Sequence, residues 1–124
     1  MIRAILTFVI LGLLFTACDD GEEVGNPLYI KKVNFRNPIS EGDSFVFEID
    51  AEMPNGGWTF SHLDKRIFVY KIEITGIGTW TSGNYADVTI PITVRDSIRG
   101  LSGGSYELKF NSRDRVILDT LLVK

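Results

Sequence analysis

The chain has 124 residues, of which 44% are hydrophobic and 23% charged, and its formal net charge is −3. A mildly acidic chain without a clustered basic face is unsuited to nucleic acid. With one cysteine no internal disulfide can form, so a folded domain has to stand on its apolar core.

The first element is a targeting segment. Met1, Ile2 and Arg3 make a short basic start, and AILTFVILGLLF (4–15) follows with no charged residue. A basic start, an apolar run of about 7 to 15 residues and then small residues is the layout of a secretory signal. A spanning helix needs roughly 20 apolar residues, and Asp19, Asp20, Glu22 and Glu23 stop this run short of that. Cleavage after residue 17 would leave 107 residues, with 12 bases against 16 acids and a charge of −4. That length suits one domain.

The end of the run is more specific. Phe15-Thr16-Ala17-Cys18 resembles the lipobox of bacterial lipoproteins, although the usual pattern has Leu where this chain has Phe15. The resemblance implies lipid on the Cys18 sulfur, with Cys18 as the new N-terminus and the membrane as a partner. Two or more acyl chains hold stably where one holds weakly, at about 0.8 kcal/mol per buried methylene. The acids after Cys18 are similar to the export signal on surface lipoproteins of Bacteroidetes-type bacteria, which implies an outer-membrane protein displayed at the cell surface. The same residues, DDGEEVGNP, also read as a solvated linker. The domain reading is signal peptide 1–17, lipidated cysteine and acidic tether 18–27, and a β-sandwich over 28–124.

From Leu28 the chain reads as short strands. LYIKKVNF (28–35) carries a bulge near Lys31 and Lys32. SFVFEIDA (44–51) alternates, with Phe45, Phe47, Ile49 and Ala51 inward and Ser44, Glu48 and Asp50 outward. Such period-two alternation marks a sheet with one face on a core and one in water. GWTFSH (57–62) is a further short strand, and IFVYKIEITG (67–76) is a strand whose apolar start is partly covered. ADVTIPITV (86–94) points Ala86, Val88, Ile90, Ile92 and Val94 inward, and Pro91 puts it at a sheet edge. SYELKFN (105–111) points Tyr106, Leu108 and Phe110 inward. It forms the last hairpin with RVILDTLLVK (115–124), whose facing the pattern leaves open.

About seven strands with turns between them fit an all-β, two-sheet sandwich. LSGGSYELKF (101–110) resembles the L-x-x-G-x-Y turn of bacterial immunoglobulin-like and fibronectin-like domains. The resemblance implies that Leu101 plugs the core, Gly104 permits the turn, and the Tyr106 hydroxyl bonds back to the backbone.

Few residues point to chemistry. GLSGG (100–104) matches the G-x-S-x-G nucleophile elbow, but a strand follows it rather than a helix, and His62 lies upstream. Ser102 is therefore read as a turn residue. His62 and Asp64 are too few for a zinc site, which takes three or four ligands. No cofactor, metal or catalysis is expected. Trp58, Trp80 and Tyr85 sit next to Gly-rich connections, where flat rings can stack on sugars or anchor a protein. Trp58 is placed in the core, while Trp80 and Tyr85 are either caps or ligand contacts. Asp96-Ser97-Ile98 and Asp119-Thr120-Leu121 match a short O-glycosylation pattern of Bacteroidetes-type secreted proteins, with Ser97, in the connection before Leu101, the better acceptor. The leading expectation is a lipid-anchored immunoglobulin-like module, an accessory or spacer subunit with an envelope protein as partner. The alternative is a polysaccharide-binding module using the loop aromatics.

Overall fold

The computed structural model describes residues 25–124, so Cys18 and the signal and acidic segments before Gly25 lie outside the described residues. Among the described residues eight strands form two sheets: β1 (Asn26–Pro27), β2 (Tyr29–Phe35), β3 (Phe45–Met53), β4 (Trp58–Phe68), β5 (Lys71–Trp80), β6 (Ile90–Ile98), β7 (Gly104–Asn111) and β8 (Val116–Val123). One sheet has the order β2-β3-β6. The other runs β4-β5-β7-β8, with β1 also paired to β5. The molecule is an all-β two-sheet sandwich, as the alternation predicts.

The core follows from the pleat. Phe45, Phe47, Ile49 and Ala51 point in from β3, Ile72 and Ile74 from β5, and Tyr106, Leu108 and Phe110 from β7. Rings from both sheets meet there, with Phe47 on β3 at 6.3 Å from Phe110 on β7. Among the described residues no polar or charged residue is buried, so hydrophobic burial drives the closure of the two sheets.

Of the pairings between these strands, all but one are antiparallel. β5 lies between β4 and β7, antiparallel to β4 but parallel to β7. Side-chain composition accounts for its central place. Every second residue of β5 from Ile72 to Gly78 is buried, whereas β4 buries none. Gly78 also leaves room for its neighbours, since a side chain there would run into Leu28 and Trp58.

Several strand readings shift. The bulge in β2 falls between Ile30 and Lys32, as expected, and Pro91 lies on β6, an edge strand. The short strand expected at 57–62 extends to Phe68, so Ile67 and Phe68 finish β4 instead of opening β5. Val69 and Tyr70 form the turn between them, and the apolar run is exposed rather than partly covered. Ala86 and Val88 do not point inward, because β6 starts only at Ile90 and both residues are exposed. β8 turns Leu121 and Val123 inward, which leaves Val116, Leu118 and Leu122 on its outer face. Asn26 and Pro27, read as tether, pair with Gly78 and Ile77 as β1.

The turn before β7 has the form its resemblance implies. Leu101 is buried, and the Tyr106 hydroxyl donates to the Ser102 carbonyl at 2.9 Å. Gly104 has φ +151°, a backbone that side chains disfavour.

Candidate functional site

The two ends of the sandwich differ, and each gathers residues that a ligand or partner could touch. At one end β4 begins with Trp58 and β5 finishes with Trp80, and the two are paired in register. Trp58 packs against the core. The Arg113 guanidinium lies 5.0 Å from the Trp58 ring centre and 5.7 Å from that of Tyr29. A cation over an aromatic face is attractive, and here it also covers a face of Trp58 that a sugar would need.

The loop from Thr81 to Thr89 closes the same end. Thr81 N–H donates to the Gly57 carbonyl at 2.9 Å. A side chain at Gly57 would strike the Tyr85 ring, so the glycine makes a seat for it. Trp80, Tyr85 and Val88 remain 52%, 41% and 59% exposed. Trp58 packs on the core, as expected, while Trp80 and Tyr85, read as either caps or ligand contacts, are each about half exposed. The chain also enters the domain at this end, through β1 and the Leu28 N–H bond to the Gly76 carbonyl.

The opposite end is the β4–β5 turn. Ile67, Phe68, Val69 and Tyr70 are consecutive and 53%, 52%, 87% and 50% exposed. Two-residue hairpin turns favour Asn-Gly or a similar pair because a positive φ is needed; Tyr70 takes it instead, at φ +55°. That backbone aims the Tyr70 ring at Gly104, where a Cβ would stand 2.5 Å from it, and at Tyr106, whose ring centre is 5.3 Å away. Glu107 N–H donates to the Tyr70 carbonyl at 3.0 Å. Between this turn and Gly100, Leu101 and Ser102 lies a groove of about 280 Å³. Lys65, Arg66 and Lys71 flank the apolar run in sequence. Lys65 pairs with Asp96 at 2.7 Å and Arg66 with Asp64 at 3.5 Å.

No family model, curated protein or solved structure matches the chain.

The other candidates fall apart in space. His62 pairs with Ile77, towards the aromatic end, and its Nδ1 is 2.8 Å from the Ser61 hydroxyl. Ser102 lies at the hairpin end, with its carbonyl occupied by Tyr106. Asp64 is engaged by Arg66. Among the described residues no three His, Cys, Asp or Glu side chains are grouped to hold a metal. Ser97 is not in a connection but within β6, opposite Val46, and its N–H donates to the Asp96 carboxylate at 2.7 Å. Thr120 lies within β8, and its N–H donates likewise to Asp119. The Lys65 ammonium, bonded to Asp96, holds that carboxyl below the ordinary aspartate value, helped by the Ser97 N–H against partial desolvation.

Sequence reasoning missed the hairpin tip and Arg113. The tip has no glycine, proline or asparagine to announce a turn, so only the run of four apolar residues between bases marks it. Arg113 carries no local pattern; it meets Trp58 through tertiary structure alone.

Proposed function

We propose that the chain is a lipid-anchored immunoglobulin-like module of the cell envelope, attached to the outer membrane through Cys18 and displayed at the surface. It works as an accessory or spacer subunit that binds another envelope protein and carries out no reaction. The observation that carries this reading is the exposed run Ile67–Tyr70 at the end away from chain entry. Contiguous exposed apolar side chains are costly in water and commonly mark interaction surfaces. The lipobox-like Phe15-Thr16-Ala17-Cys18 and the acidic segment after it support the anchor.

The test is capture of the tagged full chain from gently solubilised native membranes, beside Cys18→Ala and Val69→Asp. An envelope protein recovered in stoichiometric amount with the wild type and lost with Val69→Asp is the expected result. Its recovery undiminished with Val69→Asp rules out the tip as the contact. Failure of the wild type to label with radioactive fatty acid rules out the anchor.

A second reading, polysaccharide binding, is favoured by the half-exposed Trp80 and Tyr85 on neighbouring loop ends. It requires tryptophan emission to respond to polysaccharide in the wild type and not in Trp80→Ala.

A further inference from the structure

Resting on the lipid anchor of the preceding section, we propose that the entry end of the sandwich, with Trp80, Tyr85 and Val88, sits in the headgroup layer of the bilayer that holds Cys18. The occupant of this aromatic end is thus a lipid surface.

The chain length between anchor and domain decides which end faces the membrane. β1 takes Asn26 and Pro27 into the sheet, which leaves residues 19 to 25 between Cys18 and that strand. Seven residues span at most about 25 Å. Gly78, the β5 partner of Asn26, is eight residues from the hairpin turn at Tyr70. At about 3.3 Å per residue that is roughly 26 Å of strand. Bringing Val69 to the bilayer would need the whole tether stretched back along the domain. Bringing Trp80 there needs no extension, because Trp80 lies two residues beyond Gly78, at the end where the chain enters.

The chemistry of the entry end agrees with the geometry. Trp and Tyr have rings that are apolar in body and polar at one atom, and they concentrate at membrane–water interfaces. Trp80 and Tyr85 offer such rings half exposed, and Val88 adds an aliphatic contact. Arg113, Asp87 and Asp114 are exposed at the same end. Opposed charges beside aromatics suit a headgroup layer and not the hydrocarbon interior. The domain then stands with its aromatic end down and Ile67–Tyr70 up, which directs the apolar tip away from the anchoring membrane.

The experiment uses the full lipidated chain in phosphatidylethanolamine–phosphatidylglycerol vesicles. The chain has two tryptophans, so Trp58→Phe leaves Trp80 as the reporter and Trp80→Phe leaves Trp58 as the reference. A headgroup-level nitroxide lipid should quench most of the Trp80 emission and little of the Trp58 emission. A nitroxide attached at Val69→Cys should stay fully accessible to a water-soluble relaxation agent. Should Trp58→Phe not fold, the accessibility of a probe at Val88→Cys in the otherwise native chain gives the same answer. Flotation with the vesicles while Trp80, or the probe at position 88, stays open to water overturns the orientation and leaves the anchor intact. Protection at position 69 in place of 80 overturns it too. Failure to float overturns the anchor, and the orientation with it. Trp80 emission that responds to soluble polysaccharide but not to lipid quenchers assigns the aromatic end to a glycan instead.

Discussion

At the scale of single residues, the corner before β7 joins backbone need to side-chain chemistry most directly. Tyr106 is 5% exposed, and its hydroxyl donates to Ser102. Tyr106→Phe keeps the ring in the core and removes that bond, for an expected loss of about 1 kcal/mol. Gly104→Ala should cost more, since it combines a disfavoured φ with a Cβ driven into the Tyr70 ring. Urea unfolding of the two variants beside the wild type checks the order. Asp96 gives a pH dependence of definite sign. Its folded pKa lies below the ordinary 3.8 because Lys65 bonds to the charged form. The associated stability is therefore present above that value and is lost as pH falls through the lower, folded one. Asp96→Asn should flatten this part of the acid profile, measured as the urea midpoint from neutral pH downward. The pair is partly exposed, at 30% and 36% for its two side chains, so the change should be small.

At the scale of elements, the β4–β5 hairpin shows two demands on one turn. A two-residue turn is best served by Asn-Gly, yet Val69-Tyr70 stands here. Tyr70 has an internal role over Gly104 and Tyr106, whereas Val69, 87% exposed, has no comparable burial. Val69→Asp should therefore change stability by no more than about 0.5 kcal/mol, as surface substitutions do, while it abolishes partner capture. Thermal unfolding beside the capture assay separates these outcomes: a large fall in melting temperature would make Val69 structural. The same element explains a misread boundary. IFVYKIEITG shows no turn chemistry, so it reads as one strand. The reversal follows from Phe68 pairing with Lys71 and from the seat Gly104 provides for Tyr70, thirty-four residues away.

At the scale of the whole molecule, two sheets are held by one apolar core with an aromatic contact across it. Phe47 and Phe110 bridge the sheets, and both are essentially fully buried. Phe47→Ala should cost about 3–5 kcal/mol, a large share of the 5–15 kcal/mol typical of a domain. A chemical denaturation curve shifted by less than about 1 kcal/mol would mean that the site repacks and that the bridge is dispensable. The ends of the sandwich also acquire meaning only at this scale. Trp80 and Tyr85 are loop aromatics in the sequence, and Ile67–Tyr70 a hydrophobic run. Their separation to opposite ends, with chain entry at the aromatic one, sets the orientation proposed above.

Much of this was legible in the sequence for a local reason. The pleat alternates side chains every second residue, so Phe45, Phe47 and Ile49 on β3, and Tyr106, Leu108 and Phe110 on β7, declared their inner faces without reference to any neighbour. The corner was likewise contained in six residues, from Leu101 to Tyr106. The same alternation misled at Ala86 and Val88, where the pattern runs on although the strand has not begun, because no neighbouring strand pairs there. The central place of β5, its parallel pairing with β7, the cover of Arg113 on Trp58 and the exposure of Ile67–Tyr70 were decided by tertiary structure alone. Each depends on which distant segments compete to bury the same core, and a choice among distant partners leaves no local periodicity to read.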